Sequence, residues 1–468
     1  MLYGVKRALL FGDKIKWLLR DDFNDTLAAG AVDGTPATPG PGTRTVVDTD
    51  GDGLSMAGGR LIFANPNAVY GDPGLWLDAI TRVPGRTVVA EIMMTNTNKN
   101  QRVGWDDAQA GTPETATGHF DAVAAIKLIY QAGPIPVVAG AYQSNKPYNI
   151  AIPLRTSGSY LLIKGGIYLH WTLMWDSLLT NTATIYPVTT THDGTHTSSF
   201  IRVPEQTWLP TPLAYDTFTR ADGAIGSTEA TGPDGQGVPS KTWIGATWAI
   251  DTNQAKNTPA LGAEEAAGNL TVDNWYQITA TQVNHFFAGC AIGDCFRAAG
   301  ATALDANNKV QQITLVDMFS TFATGTPSVL ISGAVTLDAG VQVAGYITNL
   351  DDAAAPDNFL IAYHDGTNAH LEKCAAGTYT SLINAAAAYA AGRVPRIHTY
   401  RSGANLKARL YYNNVLIGAE QTIADAGIVD NVIHGMASTN PVNRLDTFQL
   451  LARGEEGQYD GFLDKVVK

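Results

Sequence analysis

Residues 359–383 read FLIAYHDGTNAHLEKCAAGTYTSLI, and this stretch decides the fold class. Three largely apolar runs are separated by two short corners, HDGTN and AAGT. Corners that contain Asp-Gly or Ala-Gly are typical of tight turns between antiparallel strands. The stretch therefore predicts a three-stranded meander.

Residues 396–423, RIHTYRSGANLKARLYYNNVLIGAEQTI, repeat the same pattern. Ser402-Gly403 and Asn413-Asn414 mark its two corners, and the run between them alternates in polarity. Alternation with a period of two places one set of side chains on the buried face of a strand. That set is Leu406, Ala408, Leu410 and Tyr412, and the opposite set is Lys407, Arg409 and Tyr411. The one helical candidate is NAAAAYAAG (384–392).

The composition extends this prediction to the whole chain. Of the 468 residues, 45% are hydrophobic and only 16% are charged, while 47 glycines and 22 prolines supply many turns. This length exceeds one ordinary domain. Many half-buried strands are best accommodated by pairs of packed antiparallel sheets. We therefore predict an all-β chain of two tandem antiparallel β-sandwich domains.

Two segments share an order of signals that indicates an internal duplication. LLRDDFNDTLAAG (18–30) runs from an apolar strand into Asp22-Phe23, and PLAYDTFTRADGAIG (212–226) runs into an Asp-x-Phe corner. Each is followed by a Gly-rich loop and a hairpin, LSMAGGRLIFAN in the first copy and TWAIDTNQAKNTP in the second. The proline-rich stretch IRVPEQTWLPTPLAY (201–215) separates the copies. The predicted organisation is an N-terminal basic arm (1–17), a first sandwich (18–210) and a second sandwich with a C-terminal tail (211–468).

The first 20 residues carry five basic side chains against one acid, and either a docking arm or a floppy leader fits them. Their apolar runs are broken by charges, so neither a signal peptide nor a membrane span is predicted. The net charge of −12 argues against nucleic acid as a partner. Three cysteines exclude a disulfide framework; Cys290 and Cys295 could form a bridge, but buried free thiols are favoured.

Four stretches of the second half resemble the concanavalin A-like lectin/glucanase (LamG-like) jelly rolls of tailed-phage virion proteins. They are DTFTRADGAIGSTEATGPDG (216–235), NFLIAYHDGTNAHLEK (358–373), LKARLYYNNVLIG (406–418) and HGMASTNPVNRLDTFQLLARG (434–454). The first half is similar to the same phage proteins, for example in IPLRTSGSYLLIKGG (152–166). The resemblance implies that the first and last strands of each domain pair, so that residues 216–218 lie beside residues 445–451.

Catalytic motifs were sought next, because this fold hosts both binding proteins and enzymes. Glycosidases of the fold keep their acids on one strand as Glu-x-Asp-x-x-Glu, and none of the ten glutamates here lies in that pattern. There is also no G-x-S-x-G motif for a serine nucleophile. The sequence therefore predicts that the chain is not an enzyme.

Carbohydrate binding requires aromatic rings beside polar side chains. One candidate is QRVGWDDAQ (101–109), in which Trp105 precedes Asp106 and Asp107. The other is DNWYQ (273–277), with Trp275 and Tyr276. The alternative for the first is a plain surface loop.

A calcium site is the remaining candidate. Asp48, Asp50 and Asp52, followed by Gly53, match the first half of a calcium-binding loop, but its twelfth position is Gly59 instead of a glutamate. The alternative is a turn before the strand LSMAGGRLIF. No other cofactor is predicted.

These observations together predict a non-enzymatic structural protein of a bacteriophage virion, tail-associated or exposed on the particle, with lectin-like domains for host glycans. The alternatives are a capsid decoration protein, another carbohydrate-binding adhesin and, with less support, a glycan depolymerase. The expected partners are other virion proteins, copies of the chain itself and host cell-surface glycans, without nucleic acid or membrane insertion. The expected location is the virion, after synthesis in the host cytoplasm without a signal peptide.

Overall fold

The computed structural model describes residues 15–64, 69, 71–97, 99–109, 115–121, 124–129, 142–177, 184–193, 195–281, 290–337 and 343–468. Most of the predicted N-terminal arm (1–17) lies outside this part. The chain divides into two compact units. Unit 1 comprises Met1–Pro210 and Gly454–Lys468, and unit 2 comprises Thr211–Arg453. Residues 454–468, predicted as the tail of the second domain, belong to unit 1 in the structure.

The described strands of unit 1 form two antiparallel sheets. The first has the order β13-β12-β11-β7-β15-β4-β3, with β1 also paired to β15, and the second has the order β10-β9-β8-β14-β5-β2, with β6 also paired to β14. The strands are β1 (Trp17–Asp21), β2 (Thr45–Val47), β3 (Leu54–Ala57), β4 (Arg60–Phe63), β5 (Gly74–Trp76), β6 (Ile80–Thr81), β7 (Thr87–Met94), β8 (Asn100–Asp106), β9 (Ala116–Phe120), β10 (Ile126–Ile129), β11 (Pro147–Pro153), β12 (Ser159–Gly165), β13 (Tyr168–Ser177), β14 (Thr184–Asp193) and β15 (His196–Pro204).

The two sheets of unit 1 pack face to face. A Cβ placed on Gly118 of β9 would lie 3.1 Å from Leu161 of β12 and 3.4 Å from Ile150 of β11, so the absence of a side chain at Gly118 lets the sheets approach closely. The Trp105 indole of β8 donates a hydrogen bond of 2.8 Å to the carbonyl of Ile152 in β11. These contacts across the two sheets define a β-sandwich.

A C-terminal helix, Asp460–Val467, packs on unit 1. Asp460 bonds His170 Nδ1 (2.6 Å) and accepts the Trp171 N–H (2.9 Å), and Arg202 donates to the carbonyl of Val466 (2.8 Å). Burial raises the pKa of Asp460, but the hydrogen bonds from His170 and Trp171 outweigh burial and leave this pKa below its usual value. The two ends of the helix are therefore held by His170 of β13 and Arg202 of β15, two strands of the same sheet.

Unit 2 contains two large sheets and a smaller sheet that is inserted between β19 and β26. The large sheets have the orders β17-β18-β19-β36-β27-β32-β33-β34, with β16 also paired to β36, and β26-β35-β28-β29-β30-β31; the smaller one is β20-β25-β22-β23, accompanied by the ribbon β21-β24. We call residues 261–313 the insert and the second large sheet the six-stranded sheet.

The bounds of the unit 2 elements follow. The strands are β16 (Ala214–Asp216), β17 (Gly223–Ala224), β18 (Trp248–Asp251), β19 (Gln254–Asn257), β20 (Leu261–Glu265), β21 (Gly268–Asn269), β22 (Trp275–Ala280), β23 (Cys295–Arg297), β24 (Ala303–Leu304), β25 (Lys309–Ile313), β26 (Phe319–Ala323), β27 (Val329–Thr336), β28 (Ala344–Leu350), β29 (Phe359–His364), β30 (Asn368–Ala375), β31 (Thr378–Ala386), β32 (Pro395–Ser402), β33 (Asn405–Tyr412), β34 (Val415–Ile423), β35 (Ile433–Ser438) and β36 (Arg444–Ala452), and one helical turn spans Leu315–Met318.

Unit 2 consequently has three layers. One core lies between the two large sheets and includes Ile331, Leu410, Leu360 and Leu371. A second core lies between the six-stranded sheet and the insert, and its members include Trp275, Cys295, Ile313, Ile347, Ile361 and Cys374. All three cysteines are free thiols. The insert therefore covers part of the face of the six-stranded sheet that the sandwich core does not use.

The prediction of an all-β chain built from antiparallel sandwiches is confirmed. The meander of residues 359–383 forms β29, β30 and β31. The predicted pairing of the first and last strands also occurs, with Asp216 opposite Phe448. The predicted helix over 384–392 is wrong: Asn384, Ala385 and Ala386 pair with β30, because pairing at this sheet edge overrides the helix propensity of alanine.

Candidate functional site

Trp105 is a core residue of unit 1 and has no exposed surface. It lies in β8, where strand alternation points its ring at the opposite sheet and its indole bonds the Ile152 carbonyl. Asp106 is also buried and accepts a hydrogen bond of 3.1 Å from the Trp76 indole, while Asp107 is half-buried. No face of the Trp105 ring is open to a sugar.

Trp275 and Tyr276 are likewise buried, on opposite faces of the insert. Trp275 packs against the six-stranded sheet, and its indole donates a hydrogen bond of 3.1 Å to the Tyr379 hydroxyl. Tyr276 packs inside the insert with Leu270 and Ile278, and its hydroxyl accepts the Thr271 N–H at 3.1 Å. Neither ring is available as a stacking platform, although Trp275 borders the polar group described below.

The Asp48–Gly53 stretch forms a turn before β3. One carboxylate oxygen of Asp48 accepts the N–H groups of Gly53 (3.0 Å) and Leu54 (3.2 Å), and the Asp48 carbonyl accepts the Gly51 N–H (3.2 Å). Asp50 and Asp52 are exposed to solvent. Within the described ranges, no group of three or more acidic, histidine or cysteine side chains is arranged to hold a metal ion. The Asp48–Gly53 stretch is thus arranged as a turn stabilised by its own aspartate.

A group of polar side chains lies on the outer face of the six-stranded sheet, beside the insert. His370 and Glu372 are two residues apart on β30, so both project from the same face. Tyr363 of β29 and Asn384 of β31 stand opposite His370, and Ser381 of β31 stands opposite Glu372. Together with Asp273 and Arg297 from the insert, these side chains make up what we call the polar strip: Asp273, Arg297, Tyr363, His370, Glu372, Ser381 and Asn384.

Arg297 joins the insert to the sheet. Its guanidinium donates to Asp273 Oδ1 at 2.6 Å and to Glu372 Oε1 at 2.7 Å, and it stacks 4.4 Å from the centre of the Tyr379 ring. The Glu372 side chain is 4% exposed, whereas those of Arg297 and Asp273 are 20% and 18% exposed. Two carboxylates, one buried and one reachable by solvent, are therefore held by a single cation.

His370 is fixed from two sides. Its ring stacks on Tyr363 with 4.5 Å between centres and 9° between planes, and its Nε2 lies 2.8 Å from Asp365 Oδ2. Burial raises the pKa of Asp365, but hydrogen bonds from His370 and from two backbone N–H groups outweigh burial and lower this pKa to about 2. Burial, followed by the Glu372 carboxylate, raises the pKa of the Tyr363 hydroxyl. At neutral pH Asp365 is an anion and Tyr363 a neutral donor.

The solvent-exposed part of the polar strip lies along the edge of the six-stranded sheet and consists of hydrogen-bonding side chains. Ser381 and Asn384 are exposed on β31, which is the outermost strand of the six-stranded sheet. The ring faces of the neighbouring aromatics are already in use, since Tyr363 stacks on His370 and Tyr379 lies under Arg297. A ligand here would be recognised through hydroxyl, amide and carboxylate groups.

Most residues of the polar strip were not predicted from the sequence. The stretch DNWYQ was identified for its Trp275 and Tyr276, whereas Asp273, at the start of the same stretch, is the residue that enters the polar strip. Arg297 and Glu372 are 75 positions apart, and no local pattern connects them. The usable signal is the alternation of polar His370 and Glu372 with apolar Ala369 and Leu371 along one strand.

No family model and no curated protein matches the chain. A carbohydrate-binding module, CBM66 from Bacillus subtilis, is similar at 10% identity, covering 38% of this chain and 95% of the module, with a TM-score of 0.23. Xylan beta-1,4-xylosidase from Bacillus halodurans is similar at 9% identity, covering 87% and 86%, with a TM-score of 0.28. A tail fiber protein from a phage of E. coli is similar at 9% identity, covering 95% and 43%, with a TM-score of 0.21.

The glycosidases among these structures overturn the expectation that the chain is not an enzyme. That expectation was based on missing motifs, and a group assembled from distant positions, such as Asp273, Arg297 and Glu372, carries no motif. At TM-scores of 0.26 and 0.28, the likeness assigns no activity to this chain.

None of the helices in the described part of the chain has the length and apolar character needed to cross a lipid bilayer.

Arg297→Met is expected to destabilise unit 2 by about 2 kcal/mol, because the buried Glu372 carboxylate loses its cation. Urea unfolding measures the loss, and hydrogen exchange should show faster exchange of the β22 and β23 amides. Lys309→Met is the matched control, since it removes the ion pair with Glu264 at the solvent-exposed edge of the same insert and should change little. Equal effects of the two substitutions would contradict a special role for Arg297.

Proposed function

We propose that the chain binds carbohydrate through the polar strip of unit 2. The observation that carries this proposal is the combination of partly exposed Asp273 and Arg297 with exposed Ser381 and Asn384 on one sheet face. Carboxylate, guanidinium, hydroxyl and amide groups together offer both acceptors and donors, which sugar hydroxyls need. The strip is also held rigidly, because Arg297 bonds two carboxylates and His370 is stacked and hydrogen-bonded.

A second part of the proposal concerns where in nature this binding takes place. The resemblance of residues 216–235, 358–373, 406–418 and 434–454 to concanavalin A-like domains of tailed-phage virions supports a place on a phage particle, where the chain would contact other virion proteins and copies of itself. Host cell-surface glycans would then be its ligands. Mass spectrometry of purified particles should detect the chain in constant stoichiometry, and its absence from the particles would contradict this setting.

A glycan array probed with the full chain tests carbohydrate binding. We expect saturable binding that falls about tenfold when Ser381 and Asn384 are both replaced by alanine, since each loses a hydrogen bond to the ligand. Thr380→Ala is the matched control, because Thr380 is exposed on the same strand but projects from the opposite face. An array without any bound glycan, or equal losses in both variants, would contradict the proposal.

Hydrolysis of the bound glycan is a second candidate function. The specific observation is the pair of carboxylates, Asp273 and Glu372, on either side of the Arg297 guanidinium. Paired carboxyl groups are what glycoside hydrolysis requires. Incubation with each bound glycan should then release reducing ends, and Glu372→Gln should stop the release. Bound glycans that stay intact would leave binding as the function.

A further inference from the structure

We infer that the polar strip takes a neutral, extended glycan chain in preference to an acidic glycan or a single terminal sugar. This inference rests on the proposed carbohydrate binding and specifies its ligand. It follows from the charges around the strip, the length of its exposed edge and the state of its aromatic rings.

The charges around the strip are predominantly negative. Asp273, Glu372 and Asp365 contribute three carboxylates, and Arg297 is the one guanidinium that the described residues place among them, which gives these four side chains a formal charge of −2 (1 minus 3). The guanidinium is already engaged by two of these carboxylates, at 2.6 and 2.7 Å. The low pKa of Asp365, about 2, keeps that side chain ionised. A uronate or sialate carboxylate would therefore meet like charges without an available cation.

The next charged pair along β30 does not change this balance. Lys373 follows Glu372 and points to the opposite face of the strand, where it bonds Asp425 at 2.9 Å. Its charge is thus neutralised away from the strip. The whole chain, at −12, adds to the repulsion of an acidic polymer.

The exposed edge of the strip is longer than one sugar ring. It follows β31 from Tyr379, beside Arg297, to Asn384, beside His370. Because β31 has a bulge between Ser381 and Ile383, these residues oppose four regular steps of β30, from Cys374 to His370, which span about 13 Å. Asn384 lies at one end of this edge, Ser381 in its middle and the partly exposed Asp273 and Arg297 at the other end, so several consecutive sugars can be bonded at once.

The aromatic rings argue for hydrogen bonding as the mode of recognition. Sugars that bind by stacking need an open ring face, and the faces of Tyr363 and Tyr379 are covered by His370 and Arg297. Individual hydrogen bonds to solvent-exposed groups contribute little net affinity, because each one replaces a hydrogen bond to water. Measurable affinity therefore requires several sugars in a row.

The test compares two matched series by titration calorimetry with the full chain: β-1,4-glucose oligomers of one to six units, and the same oligomers oxidised to carboxylates at C6. Neutral oligomers of other linkages that the array identifies are measured beside them. We expect the affinity for neutral oligomers to rise with length up to about four units, and the oxidised tetramer to bind at least about tenfold more weakly.

Two variants separate charge from shape. Asp365→Asn keeps the size of the side chain and should raise the affinity for the oxidised tetramer by about threefold, because it removes one anion. Asp430→Asn is the control that should change nothing, since Asp430 pairs with Arg401 of β32, on the other large sheet. Oxidised oligomers that bind as well as neutral ones, or a monosaccharide that binds as well as a tetramer, would overturn the inference and leave carbohydrate binding intact. Failure of every glycan to bind would overturn both.

Discussion

Replacing Asp216 by alanine is expected to lower the free energy of unfolding of unit 2 by about 3–5 kcal/mol. The side chain is fully buried and accepts hydrogen bonds from the Phe218 N–H (2.8 Å), from the Trp243 indole (2.9 Å) and from both terminal nitrogens of Arg220 (2.6 and 3.0 Å). Alanine leaves the buried N–H groups of Phe218 and of the Trp243 indole without a partner, whereas Arg220 keeps its hydrogen bond to the Ile225 carbonyl. Urea unfolding, followed by tryptophan fluorescence, measures the loss.

Backbone strain adds to this effect. Phe218 has a φ of 56°, which a side chain of this size rarely adopts, and the Asp216 carboxylate holds the Phe218 N–H in that position. Asp222→Ala is the control: Asp222 also accepts a backbone N–H, from Thr252, but it is exposed, so little stability should be lost. An Asp216 variant as stable as the Asp222 variant would show that the corner is dispensable.

The same corner occurs in unit 1, which gives structural support to the internal duplication. Asp21 is fully buried, accepts the Phe23 N–H at 3.1 Å and bonds Arg44 at 2.6 and 2.7 Å. Phe23 has a φ of 49°. The sequence shows the strand and the Asp-x-Phe corner, but it does not show the cation, because Arg44 lies 23 residues after its aspartate and Arg220 only four after its own.

Local features were predictable because turn chemistry is local. Asn413 and Asn414 both have positive φ in the hairpin between β33 and β34, as their side chains permit, and Leu406, Ala408, Leu410 and Tyr412 are buried together as the alternation requires. The opposite face was harder to predict, since Arg409 and Tyr411 are buried as well. Alternation separates two faces of a strand, but it does not say that only one of them is covered.

The candidate site was not predictable for a related reason. The insert reaches the six-stranded sheet through pairs such as Arg297 and Glu372, whose proximity depends on the tertiary arrangement of three layers. Trp105 illustrates the opposite error. Its neighbours Asp106 and Asp107 suggested a polar surface. In a strand, however, the residue next to an inward-pointing ring projects from the other face. Asp106 can be buried there because it accepts a hydrogen bond from the Trp76 indole.

Trp105→Ala is accordingly expected to destabilise unit 1 by about 3–5 kcal/mol, without affecting carbohydrate binding by unit 2. The substitution removes a completely buried indole from between the two sheets, leaves a cavity, and deprives the Ile152 carbonyl of its donor. Calorimetry should show a lower unfolding temperature for unit 1, and glycan titration of the folded protein should give an unchanged affinity.

Trp17→Ala is the control, because it removes an indole that is not fully buried. Trp17 is half-buried at the start of β1, where the Arg20 guanidinium lies 5.2 Å from its ring centre, so its removal opens no closed cavity and should cost about 1–2 kcal/mol. The difference between the two variants measures the contribution of burial. A Trp105 variant that kept full stability but lost glycan binding would instead restore the sugar platform that the sequence suggested, and would move the binding site from unit 2 to unit 1.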